Sequence, residues 1–299
     1  MKYILLRLSI LAAVLYICFF AETNDGNNAS TTSHGPPSMD AVQITNSNAN
    51  DGAISGGEDF IAKPKISTHK CSYKSLEDLK SFERKPVASK DNDGNGRRHM
   101  VDPPKGGKIT LVCCDTTKGP MSIAVHHNWA PLGSQRFLEM VTDNYFSSKV
   151  AMMRCAKNFL CQFGIAGEPY LNRKYRSIED DPNWMPEGPT HMTNEYDVRR
   201  FAKGYFAYAG GGKNSRSNQL IVALGDNKRL GGGSPWEVPF GEVVGLESYA
   251  TLGSISTQYG EKGPSQRLLR KEGSSDNVAQ QFPDLDYMTS CIVVDEGDV

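Results

Sequence analysis

From Lys108 onward the chain carries a short-period pattern of apolar positions. I-T-L-V-C-C-D (109 to 115) is rich in β-formers, T-T-K-G-P (116 to 120) has turn chemistry, and M-S-I-A-V-H (121 to 126) alternates. Two such runs around a Gly-Pro turn predict an antiparallel hairpin. The period then changes. Pro131 suits a first helical turn, and Phe137, Leu138 and Val141 recur at helical spacing, which predicts a helix from Pro131 to about Thr142. Two extended runs follow, V-A-M-M-R-C-A (150 to 156) and F-L-C-Q-F (159 to 163), joined by Lys157-Asn158. Further apolar runs lie at Tyr205 to Ala209, Gln219 to Leu224, Pro239 to Val244 and Cys291 to Val294, with Gly-rich connections between them. Many short strands with one or two helices point to a closed β-barrel, which leaves no exposed sheet edge. There is no internal repeat.

The first 106 residues read differently. Lys2 and Arg7 precede the apolar stretch from Leu8 to Ala21, so residues 1–21 read as a secretory signal peptide or an uncleaved signal anchor, with residues 4–20 as the membrane-attaching part. Phe19 is a poor residue for the cleavage site, which keeps the anchor open. Residues 22–59 hold 20 Gly, Ser, Thr or Asn and no aromatic, too little apolar surface to offset ordering entropy, and are expected to be a disordered linker. Asn28-Ala29-Ser30 is a glycosylation sequon within it. Residues 60–106 form an N-terminal extension. Within it Ser75, followed three positions later by Asp78, marks the start of a short helix between Cys71 and Arg84, and residues 90–98 are a loop by composition.

Composition changes little in this picture. The chain has 299 residues and a formal net charge of −1, so nothing argues for nucleic acid or an anionic membrane surface as partner. Seven cysteines are present, and removal of Cys18 with a signal peptide leaves six in an oxidising lumen, compatible with one or two disulfides. Cys155 and Cys161 sit in apolar runs and read as small buried hydrophobes. No C-x-x-C pair supports a zinc or redox motif. G-G-G-K-N (210 to 214) is not a phosphate loop, which needs Gly where Ala207 stands and Ser or Thr where Asn214 stands. His126 and His127, adjacent on a strand, face opposite ways, so one metal ion cannot take both. Asp180-Asp181 before Pro182 reads as turn chemistry.

The chemistry segment is R-C-A-K-N-F-L-C-Q-F-G (154 to 164). A buried core would avoid the guanidinium, and a solvated surface would not need Phe159 and Leu160 beside it. The order strand, T-T-K-G, strand, A-P-x-x-x-x-x-F, then M-R-C-A-K-N-F-L-C-Q-F-G resembles the cyclophilin family of peptidyl-prolyl isomerases. The likeness continues through A-Y-A-G-G-G-K-N-S-R-S-N-Q-L-I (207 to 221), L-G-D-N-K-R-L (224 to 230), P-F-G-E-V-V (239 to 244) and F-P-D-L-D-Y (282 to 287), covering about Gly107 to Asp295.

The resemblance implies a mainly β domain over 107–299, an eight-stranded antiparallel closed barrel capped by two helices. Its substrate groove lies on the outer wall. It implies Arg154 and Gln162 as catalytic residues, and Phe159, Leu160, Ala209, Gly210, Gln219, Ile221 and Leu230 as substrate-binding residues, with Gln219 supporting Arg154. Proline-containing polypeptides would be the partners, the protein a monomer in the secretory lumen or secreted, and no cofactor or metal is implied. The chain departs from the family in places. Ile221 stands where many members have a second pocket Phe, and Trp236 or Glu237 lies near the position of the pocket His. Met153 precedes Arg154, Phe163 follows Gln162, and the Trp tied to cyclosporin binding has no counterpart near Arg229. These departures predict altered catalysis and poor cyclosporin affinity. They also motivate an alternative: a catalytically weak module that binds proline segments on the same scaffold.

Overall fold

The computed structural model describes residues 70–80, 99–182, 197–226, 230 and 235–298. The signal or anchor segment, the linker, the sequon at Asn28, the loop at 90–98 and the surroundings of Arg229 lie outside the described residues.

The predicted hairpin is present as β2 (Lys108–Thr116) and β3 (Gly119–His126), turning between the facing pair Thr116 and Gly119. A short parallel pair, β1 (His99–Val101) against β7 (Asp197–Arg199), forms a separate two-stranded sheet. The main sheet continues with β4 (Val150–Ala151), β5 (Arg154–Cys155), β6 (Leu160–Phe163), β8 (Tyr205–Tyr208), β9 (Leu220–Ala223), β10 (Gly241–Val244) and β11 (Tyr287–Asp298). Its order is β4-β11-β2-β3-β10-β8-β9-β6-β5. The order begins and ends on two pieces of one run, residues 150–155, so the antiparallel sheet curls around its core with that run at the seam. The fold class stands as expected, but among the described residues the sheet has nine strands and not eight, because the run 150–156 breaks at Met152–Met153 and pairs β11 on one side and β6 on the other. β4 and β5 at its two ends do not pair with each other, so the curled sheet is not the closed barrel expected.

Two longer helices cap the sheet as expected, α2 (Pro131–Thr142) and α3 (Leu246–Ser254). The inner core gathers Val112, Ile123 and Val125 from the hairpin, Phe163, Phe206 and Val222 from the far strands, and Phe137 and Met140 from α2. Phe137 meets the Phe240 ring at 5.1 Å. The start of α2 lacks a local side-chain cap; Asp181 supplies one from 48 residues away, its Oδ1 accepting from the Leu132 amide at 2.7 Å and its Oδ2 from the Gly133 amide at 2.8 Å. Arg216 Nη1 donates to the same carboxylate at 2.6 Å. Asp181 is therefore a buried helix cap, a larger role than turn chemistry.

Three shorter helices complete the described residues: α1 (Leu76–Lys80), α4 (Gln266–Glu272) and α5 (Asp276–Gln281). α4 and α5 went unpredicted, although Ser265 and Ser275 cap them by accepting from the Leu268 and Val278 amides. α1 starts as predicted, with Asp78 Oδ2 accepting from the Lys74 and Ser75 amides at 2.7 and 2.9 Å. Tyr73, Leu76 and Leu79 pack on Ile109, Leu111, Ala124 and Val244, so this part of the extension covers the outer face of the hairpin.

The cysteines correct the sequence reading. Cys71–Cys113, Cys114–Cys291 and Cys155–Cys161 are all disulfides, three where one or two were expected. Cys155 and Cys161 are buried, as predicted, but bonded, because they face each other across the β5–β6 ladder and point to the same inner face.

Candidate active site

One cross-strand row carries the site. Arg154 on β5 faces Gln162 on β6, Gln162 faces Ile221 on β9, and Ile221 faces Ala207 on β8. Residues on one row of a sheet project to the same side. Alternation sends Cys155, Cys161 and Phe163 to the inner core and leaves Arg154, Leu160 and Gln162 on the outer face. There Leu160, Ile221, Ala207, Ala223 and Leu230 form a separate apolar cluster with Trp129, Phe201 and Tyr205. Phe159 and Ala209 pack against it while remaining half-buried. The apolar residues predicted from the sequence thus converge. Leu160, Ile221 and Leu230 are the floor, at 4%, 3% and 6% exposure, and Phe159 and Ala209 are the rim.

The polar side of the row is a chain of donors with a single direction. Arg154 Nη1 donates to Gln162 Oε1 at 3.4 Å, Gln162 Nε2 donates to Gln219 Oε1 at 2.9 Å, and Gln219 Nε2 donates to Gln266 Oε1 at 3.0 Å. A guanidinium can only donate, so it sets the orientation of each amide after it. Gln219 is linked to Arg154 through Gln162, not by a bond of its own.

Two residues of this constellation are absent from the sequence reading, Gln266 at the start of α4 and Glu261. The Glu261 carboxylate takes Arg154 in a two-point fork, with Nε and Nη2 donating to its two oxygens and the Nη2 bond at 2.8 Å. Glu261 sits in the 3-10 turn Gly260–Lys262. Gly260 adopts φ of +51°, and a Cβ on Gly263 would lie 2.0 Å from the Met153 carbonyl oxygen, so the turn presses against the break in the seam strand. Tyr259 holds the turn from its other end, with its ring against Phe282 at 5.4 Å and its hydroxyl accepting from the Asp284 amide at 3.0 Å. The glycines of Y-G-E-K-G-P announce a turn, but nothing in the local sequence says where its carboxylate lands.

Near the position of the pocket His, the Trp236 ring packs closely against Gly210, where a Cβ would meet its Cδ1 at 2.3 Å. Gly210 is therefore a close-approach position at the edge of the site. Glu237 acts on Arg199, whose burial lowers its pKa to about 10 against the opposing pull of the Glu237 charge. The two adjacent histidines part as predicted: His126 Nε2 faces Glu242 Oε1 at 3.2 Å and stacks on Trp129 at 3.9 Å, whereas His127 Nε2 hydrogen-bonds Thr110 Oγ1 at 2.8 Å. An open depression of about 500 Å³ along α2, lined by Pro131, Gln135 and Leu138 among others, includes none of the Arg154 row.

Residues 111–272 match the family profile of the cyclophilin type peptidyl-prolyl cis-trans isomerase/CLD. A curated relative, the peptidyl-prolyl cis-trans isomerase CYP18-2 of Arabidopsis thaliana, is 25% identical over 158 residues, spanning 50% of this chain and 85% of the relative. Among solved structures, a cyclophilin type peptidyl-prolyl cis-trans isomerase of Cryptosporidium parvum is 15% identical, with 62% of this chain and 97% of that chain covered and a TM-score of 0.41. Cyclophilin AquaCyp293 of Hirschia baltica is 14% identical, with 62% and 73% covered and a TM-score of 0.42.

Proposed function

The chain belongs to the cyclophilin type peptidyl-prolyl cis-trans isomerase family and is an isomerase of that class, and from this premise we propose how its residues act and where. The proline ring rests on Leu160, Ile221 and Leu230, with Phe159 and Ala209 as the rim and the Gly210 backbone at the edge. Gln162 holds the peptide beside the ring, and Gln219 holds Gln162.

The reaction is rotation about an X-Pro bond, whose barrier of about 18–20 kcal/mol comes from amide resonance. At the top of the barrier the proline nitrogen regains a lone pair that the planar amide does not offer. Arg154 donates a hydrogen bond to that nitrogen, an interaction made mainly in the twisted state, which is the requirement for raising a rate. No nucleophile, proton transfer or cofactor enters this scheme. The observation that carries it is the single row that sets Arg154 opposite Gln162 and Gln162 opposite Ile221, with a half-buried guanidinium at one end and the apolar floor beyond the amide.

The protein is proposed to assist the folding of polypeptides in the secretory lumen. Three disulfides support that setting, since such bonds form and persist in oxidising compartments. Attachment to the membrane through residues 4–20 is the form this takes if the signal is not cleaved; carbonate extraction of expressed full-length protein distinguishes the two.

A protease-coupled isomerisation assay on an Ala-Pro peptide tests the mechanism. Arg154→Ala is expected to lower turnover by at least about 100-fold, the scale of losing one preorganised transition-state donor. If wild type and Arg154→Ala share one near-background rate while a proline peptide still binds, the groove is a binding module and the catalytic reading is lost.

A further inference from the structure

We propose that Glu261 is a positioning residue for Arg154, holding the guanidinium with its free edge toward the apolar floor and cancelling its charge toward the bound peptide. The inference rests on the reading of Arg154 given above.

An arginine side chain on a two-residue strand at a seam has four rotatable bonds and only 24% side-chain exposure, so its direction must come from its partners. Gln162, at 3.4 Å from Nη1, is too distant to hold it alone. The carboxylate supplies what is missing. By occupying Nε and Nη2 it claims one edge of the planar fork and leaves Nη1, with the outer hydrogen of Nη2, at the end that meets Gln162. Glu261 is itself held by the backbone fit of its turn, because Gly263 seats the turn on the Met153 carbonyl, one residue before Arg154. The anchor and the side chain it orients therefore share one piece of backbone.

The second consequence is electrical. An isolated arginine at the edge of a peptide groove attracts acidic residues next to proline. The fork places one negative charge against one positive charge, so the peptide meets a neutral pair that still presents directed N–H groups.

The test uses the full-length protein and Ala-Pro, Glu-Pro and Lys-Pro peptides. Glu261→Ala is expected to lower kcat about fivefold on Ala-Pro with KM within about twofold, the scale of an exposed but well-formed ion pair. Glu261→Gln is expected to raise the ratio of kcat/KM on Glu-Pro over Lys-Pro about threefold and to lose that gain in high salt. The hydrogen-bonded Arg154 Nε–H proton resonance, assigned by its loss in Arg154→Lys, should disappear in Glu261→Ala. Glu261 is 53% exposed, so both variants are expected to fold, and their thermal midpoints check this. An unchanged kcat, a loss carried wholly by KM, an unmoved charge ratio or a surviving Nε–H resonance overturns the positioning role. Wild-type turnover in Arg154→Ala overturns the reading of Arg154 itself, whatever Glu261 does.

Discussion

Cys155 and Cys161 are joined across the β5–β6 ladder at the position next to the one that sets Arg154 opposite Gln162. The bond closes a loop of only a few residues that the ladder already holds, whereas Cys114–Cys291 spans a separation of 177 residues. Chain-entropy reasoning gives about 2 kcal/mol for the short loop and about 5 kcal/mol for the long one. The double variant Cys114→Ala/Cys291→Ala is thus expected to lose more stability than Cys155→Ala/Cys161→Ala. Calorimetry on the two variants checks the order, and equal losses contradict the argument.

Gly263 has no room for a side chain. Gly263→Ala must push the Gly260–Lys262 turn off the Met153 carbonyl, at about 1–3 kcal/mol, the range for overpacking. It should also draw Glu261 away from Arg154, so that isomerase turnover falls as in Glu261→Ala. Urea denaturation and the same peptide assay measure both effects; a variant as stable and as active as wild type contradicts the close fit.

Arg216 and Asp181 form a buried pair with no side-chain exposure on either partner. Arg216→Met leaves the carboxylate facing the two α2 amides without its cation, and Asp181→Ala removes the helix cap and leaves the guanidinium with Asp180, at 3.8 Å, as its remaining charged partner among the described residues. Each single change is expected to destabilise by about 3–5 kcal/mol. The double variant should lose less than the sum, since Asp181 and Arg216 are in direct contact and share one interaction. Urea denaturation of the three variants closes the cycle.

Acid should loosen the corner where β2, β3 and β11 meet. Burial and the neighbouring Lys108 charge lower the His127 pKa, against the pull of the Glu296 carboxylate and with a further push from His126. The folded state thus takes up its proton later than the unfolded chain. Stability is full above the ordinary value of about 6.5 and falls as pH drops below it. Glu296 has a separate window: hydrogen bonds from Lys108 and Thr110 lower its pKa, so its contribution is present above the ordinary 4.5 and is lost as pH falls through the lowered value. His127→Gln should flatten the stability curve just below pH about 6.5 and leave the lower window in place. A curve unchanged by the substitution rules this out.

Alternation and turn chemistry are interactions between near neighbours, and these were legible. The hairpin, the extent of α2 from Pro131 to Thr142, the cap of α1 and the outward direction of Arg154 and Gln162 all follow from them. The expected site residues that lie on strands, Arg154, Leu160, Gln162 and Ile221, share one face for the same reason, given the order of the strands. The break at Met152–Met153 was not legible, because both residues are apolar and fit an unbroken strand. α4 and α5 were missed because helices of seven and six residues carry too little periodicity to stand out from loops.

The sequence by itself determined the period of each segment, and hence which side chains share a face and which residues could form a proline groove. Only the tertiary structure decided that Glu261 closes on Arg154 from 107 positions away, that Gln266 ends the amide chain, and that every cysteine from Cys71 onward is paired. Those contacts depend on where the folded sheet brings distant loops, and the energy of an ion pair or a disulfide is set by distance in space, which the spacing of residues along the chain does not contain.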